Sequence, residues 1–163
     1  MNFRDILSAN IQSANFVANT YLSDLSDQDL LKRPVPQANH IAWQLGHLIC
    51  SVDVMLTFLN APEKPALPSE FEAAHKKERA GEDSAEKFFS KAIYLELMEK
   101  QKASALAAVE MVTESDLDKP GPESMRAYAP TVGAVFLLLA NHLGMHLGQF
   151  VVLRRSLGKP VLI

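Results

Sequence analysis

The sequence predicts an all-α protein, a four-helix bundle, and three observations predict it. Apolar residues recur at three- and four-residue steps in four long stretches. Strand-like alternation is weak throughout. The long amphipathic stretches number four, which makes a bundle the default way to bury their apolar faces. With 163 residues the chain reads as a single domain over 1–163, large enough for a real core.

The first helix is expected over about 3–22, where Phe3, Leu7, Ala14, Val17 and Tyr21 repeat on one face. "SDQDLLKRP" at 26–34 then reads as a short capped turn, with Ser26 and Asp29 at capping-box spacing and Pro34 as the stop. The second helix is expected from Asn39, as N-cap, to about Leu59, with Ile41, Leu45, Leu48, Val52, Met55 and Leu59 as its core stripe. Residues 60–87 read as a long connection, proline-rich early and charged later. Connections of that length inside a compact domain are functional lids, crossovers or mobile loops, and this one leaves room for a crossover. The third helix is expected over about 88–113, with Ile93, Leu97, Gln101, Ala105, Ala108 and Val112 on one face. "ESDLDKPGPES" breaks the chain again. The fourth helix follows Pro130, with Thr131 as N-cap, and runs to about Leu157, where Gly158 and Pro160 close it.

Bulk composition narrows the partners. Net charge is −3 and 48% of residues are apolar, with no basic stripe to neutralise phosphates, so neither nucleic acid nor an acidic membrane surface is an expected partner. The basic cluster "HKKER" at 75–79 lies among acidic residues and reads as solvated surface. Cys50 is the single cysteine, so no internal disulfide ties the chain to an oxidising compartment. No signal-peptide pattern opens the sequence, and polar residues interrupt every apolar run of roughly 18 residues. A cytoplasmic location without membrane insertion is expected.

The chemistry concentrates in "TVGAVFLLLANHLGMHLGQFVVLRR", residues 131–155. At about 100° per residue, Val135, Leu139, His142, His146, Gln149 and Leu153 fall within one sector about 80° wide. Both histidines are therefore expected in the middle of the apolar stripe, pointing into the bundle, one turn apart as in a helical zinc motif. Two core histidines satisfied by hydrogen bonds are one reading. The other is a shared cation, which meets both lone pairs at once without burying two like charges. A third ligand would then come from another helix, from among His40, His47, His75 and the carboxylates. His40 and His47 lie on one side of the second helix but about 10.5 Å apart along it, so one ion can take one of them. His47 is mid-helix, at the depth where bundle metal sites form. His40, in the first turn, is expected near solvent or a pocket mouth, and His75 is expected exposed in the charged loop.

These residues carry a resemblance. "IAWQLGHL" at 41–48 and "HLGMHLGQFVVLRRSLGKP" at 142–160 resemble the DinB/YfiT superfamily, the latter through its H-x-x-x-H-x-G-Q stretch, Arg pair and Gly-x-Pro end. "DLSDQDLLKRPVP" resembles the family's usual lead-in, and the likeness covers nearly the whole chain. It implies that His47, His142 and His146 are the metal ligands. It also implies a variant up-and-down topology with a crossover between the second and third helices, and assembly as a homodimer.

Three neutral nitrogens leave a divalent ion with open positions, as a catalytic site requires. Zn²⁺ and Ni²⁺ are the leading candidates, with Fe, Mn or Cu possible occupants by ligand type. Gln149 and Gln44 are the candidates to fix ring tautomers. Tyr128, just before the fourth helix, is a candidate proton donor, although a loop anchor also suits it. Trp43 reads as packing, Cys50 as a non-ligand, and Arg155 as a partner for an anionic substrate or for the helix dipole. Some members of the resembled superfamily are transferases or isomerases that use low-molecular-weight thiols, so a metal-dependent thiol S-transferase acting on a small molecule is the leading expectation. A metal-dependent hydrolase and a non-catalytic metal-binding or stress-response bundle are the alternatives.

Overall fold

The computed structural model describes residues 2–163, and among them no strand is formed. Four long helices make the body: α1 (Phe3–Leu22), α3 (Ile41–Phe58), α5 (Lys91–Met111) and α7 (Val132–Ser156). Three single-turn helices sit in the connections: α2 (Asp27–Leu30), α4 (Phe71–Ala74) and α6 (Glu114–Leu117).

Local chemistry starts and stops these helices. Asn2 and Asp5 form a reciprocal capping box at α1, and Ser26 and Asp29 do so at α2. The Thr131 side chain accepts from the amide of Ala134 to open α7, and Gly158, at φ 68°, follows its end. One cap differs from expectation. His40, not Asn39, is the N-cap of α3, and its ring Nδ1 accepts the Trp43 amide at 3.1 Å. An imidazole lone pair fills the role usually taken by a side-chain oxygen.

The core falls into two layers, and their membership gives the topology. One layer joins the C-terminal half of α1 (Ala18, Leu22), the N-terminal half of α3 (Leu45, Leu48, Ile49), the start of α5 (Tyr94, Leu97, Met98) and the C-terminal half of α7 (Leu143, Leu147, Phe150, Leu153). The other joins the opposite halves, with Leu7 and Ile11, Met55 and Leu56, Ala105 to Val112, and Val135 to Leu139. The order is therefore up, down, down, up. Helix α1 packs on α5 and α7, and α3 packs on the same two. Because α3 and α5 run parallel, residues 59–90 must return the length of the bundle, which is the crossover.

That return path is built, not loose. Phe71 is fully buried and His75 is 3% exposed, and the segment lies against the N-terminal half of α3. There Ala42, Trp43 and Gly46 are buried in addition to the expected stripe. Gly46 is required by this contact, since a Cβ there would meet the His75 ring at 2.0 Å. At the far end of α7, buried Arg154 binds the Asp24 carboxylate and the carbonyls of Tyr21 and Pro160, tying the chain's end to the α1–α2 turn. Hydrogen bonding to Arg154 is the main reason the Asp24 carboxyl titrates below its ordinary range. Arg155, by contrast, is exposed.

Both α3 and α7 are long and apolar enough to cross a membrane by length and composition alone, although polar residues interrupt them. In the bundle they are core helices, and more than half of the α3 stretch is buried.

Candidate metal centre

Helices α3 and α7 run antiparallel, and where they face each other they bring three imidazoles together. His47 comes from the second turn of α3, and His142 and His146 lie one turn apart on α7. One ring nitrogen from each lies within 4.8 Å of the others. The ring centroids stand 5.2 Å apart for His47 and His142, 5.4 Å for His47 and His146, and 5.1 Å for His142 and His146. Among the described residues this is the one cluster of metal-ligating side chains, and it contains no carboxylate.

The three rings are half-buried, which corrects the expectation that the α7 histidines point into the bundle's middle. Residues 143, 147, 150 and 154 are buried together with 135, 139 and 153, so the buried arc of α7 is centred to one side of the histidines. His142 and His146 lie on its flank, facing α3. Packing against two neighbours rotates the true core direction away from the stripe's centre. The result is a site at a helix–helix seam, open on one side.

Burial governs the titration of all three. It lowers the pKa of His47, with Lys77 adding to the effect. It lowers that of His142, helped by His47. His146 is pulled down to about 4, by burial first and then by His142 and His47. The rings are therefore neutral at pH 7, the form that offers a lone pair to a cation.

Gln44, one turn before His47, supplies the orienting bond. Its Oε1 accepts from His146 Nδ1 at 2.8 Å, while its own amide donates to the Asn39 carbonyl at 2.7 Å. Anchored in this way, Gln44 assigns the proton of His146 to Nδ1 and leaves Nε2 as the donor nitrogen. Gln149 takes no such part. It is exposed, on the edge of the sector farthest from the buried arc. Trp43 lies parallel to the His47 ring, with an interplanar angle of 3° and centroids 5.2 Å apart, and its indole N–H donates to the Lys76 carbonyl at 3.1 Å. That stacking partner was legible only as packing.

The remaining candidates lie elsewhere. Tyr128 is 62% exposed and sits beside Met125 and Ala129 of the opposite core layer. His142 is about 15 Å along α7 from that end, so the structure does not bring Tyr128 to the imidazoles. Cys50 is partly buried, and burial pushes its thiol up to about 11, which keeps it protonated. His40 and His75, expected near solvent, are both buried. His40 Nε2 donates to the Glu82 carbonyl at 2.9 Å. His75 donates from Nδ1 to the Phe71 carbonyl at 2.7 Å, and its Nε2 accepts from the Tyr94 hydroxyl at 2.9 Å.

Three imidazoles with free nitrogens at one seam suit a borderline divalent cation with positions left for other ligands. Fold and site thus define a class: a four-helix bundle with a three-histidine centre on two antiparallel helices. The model of the DinB superfamily matches residues 17–150, and the chain belongs to that superfamily. A crystal structure described as the conserved protein of locus from Enterococcus faecalis shares the fold with a TM-score of 0.73. The alignment covers 98% of this chain and 99% of that one at 16% identity. No curated protein matches the chain.

Proposed function

We propose that this protein is a metal-dependent enzyme that transfers a small thiol to an electrophilic small molecule. The observation that carries the reading is the trio of neutral imidazoles, joined by no further His, Cys, Asp or Glu among the described residues, at a half-buried seam. A closed structural centre fills its positions with protein groups, whereas a reactive one leaves room. His47, His142 and His146 hold the ion, Zn²⁺ or Ni²⁺ by ligand type, and Gln44 holds His146 in the tautomer that can do so. Bound there, the ion supplies Lewis acidity, lowering the pKa of a coordinated thiol or water.

In the thiol reaction, a carbon–sulfur bond forms at the electrophile as its leaving group departs with the bonding electrons. The thiol proton passes to water at the open side, since among the described residues no carboxylate or thiol belongs to the cluster. A hydrolase using the same centre is the close alternative. We also read the chain as a cytoplasmic protein that pairs with a second copy. The support for pairing is the set of exposed apolar side chains on α1 and α7, among them Phe16, Leu137, Met145 and Val152.

The test is a parallel assay of thiol transfer to a chromogenic electrophile and of ester and amide hydrolysis, on metal-loaded wild type and His142→Ala. Transfer present in the wild type and lost in the variant is expected. Hydrolysis without transfer would replace the reaction assigned here, and neither activity in a fully loaded protein would leave a metal-binding bundle without catalysis.

A further inference from the structure

His146 is oriented through an atom, by the bond from its Nδ1 to Gln44. His47 is held by its face. The buried Trp43 indole, one turn earlier on α3, lies parallel to it at 3° with centroids 5.2 Å apart, the offset stacking that aromatic pairs favour. An imidazole's lone pair lies in the ring plane, so stacking fixes the plane and leaves the nitrogens to an ion.

The indole is itself held from outside α3. Its N–H donates to the Lys76 carbonyl of the crossover at 3.1 Å, and the same carbonyl accepts the Arg79 amide at 2.9 Å. Lys76 follows His75, whose ring is bonded to the Phe71 carbonyl and the Tyr94 hydroxyl. That ring packs so close to Gly46, the residue before His47, that a Cβ there would meet it at 2.0 Å. Contacts therefore run without a gap from the docked crossover to the ligand ring, from Lys76 to Trp43 to His47.

We propose that Trp43 is a positioning residue for His47, and that through it metal binding and docking of the crossover strengthen each other. The inference rests on the metal-centre reading above and links that centre to residues 71–80. An ion that fixes the His47 plane favours the stacked indole, and the stacked indole presents its N–H to Lys76. Such coupling is reciprocal, so docking tightens the ion by the factor through which the ion tightens docking. That factor is expected to be about fivefold, the scale of one well-placed aromatic pair.

Hydrogen exchange read by mass spectrometry, on the full chain with and without saturating Zn²⁺, measures the coupling without turnover. Zinc is expected to slow exchange in residues 71–80 of the wild type about fivefold. It should leave the α6 turn, whose Leu117 packs in the other core layer, unchanged. Trp43→Phe keeps a ring against His47 but lacks the N–H. It is expected to bind zinc at saturation, with affinity lowered about fivefold, and to lose the slowing. A Trp43 that served packing alone would protect residues 71–80 equally with and without zinc. Slowing that is absent from the wild type, retained in Trp43→Phe, or equal at α6 would overturn the coupling. A wild-type protein that binds no zinc would overturn the metal centre itself, and this role with it.

Discussion

Five histidines divide between two regions of the fold, and the division separates what holds the fold from what is left to react. His40 and His75 have both ring nitrogens engaged by the chain. His40 is tied between the Trp43 amide and the Glu82 carbonyl, and His75 between the Phe71 carbonyl and the Tyr94 hydroxyl. Both are buried. In the trio, one ring nitrogen is engaged among the described residues, His146 Nδ1 by Gln44, and the rings are half-exposed. The two buried imidazoles fasten the crossover, His40 to the start of α3 and His75 to Tyr94 of α5. An imidazole with a free nitrogen at an open seam is available to a cation.

The largest effects should come from breaking the clamp. His75→Ala removes a buried ring, leaves the Tyr94 hydroxyl with only the Phe89 amide as partner and strands the Phe71 carbonyl, and is expected to cost about 3 kcal/mol of stability. Metal stoichiometry at saturating ion should stay at the wild-type value, as chemical denaturation and metal analysis of one preparation will show. The same clamp should be acid-sensitive. Burial lowers the His75 pKa from its ordinary 6.5 to about 4, so the unfolded chain binds the proton that the folded chain refuses. Its contribution is therefore complete above pH 6.5 and is lost as pH falls toward 4. Denaturation midpoints of the metal-free protein at pH 7, 6 and 5 should fall in that order. His146, lowered similarly, acts in the same direction, so His75→Ala should reduce the slope without abolishing it.

A smaller change should sharpen the contrast from the other side. Gln44→Ala leaves all three ligands in place but frees the His146 ring to turn. Metal affinity is expected to fall about 10- to 100-fold, the usual effect of losing an orienting partner, as competition with a chromogenic chelator will measure. An unchanged affinity would mean that the Gln44 bond serves only to fill a buried gap.

The comparison also explains what the sequence made legible. Helical periodicity and caps at Ser26 and Thr131 were readable because each depends on neighbours within a few residues. The pairing of His142 with His146 was readable for the same reason, since one turn of helix fixes it. The choice of His47 over His40 needed depth along a helix and the family resemblance. The burial of His75 was hidden, because it depends on the crossover docking against Gly46, a long-range contact with no local signature in a charged stretch. Gln149 and Tyr128 were misplaced for related reasons. An angular sector gives a helix face but not the direction of its neighbours, and a loop residue before a helix carries no address at its far end.

The most direct test of the central claim is the metal content of untagged protein by elemental mass spectrometry, with the five single His→Ala variants measured side by side after loading with zinc or nickel. About one ion per chain in the wild type, in His40→Ala and in His75→Ala, with loss in His47→Ala, His142→Ala and His146→Ala, is the predicted result. Loss in His40→Ala with retention in His47→Ala, or no ion in the wild type, would contradict it.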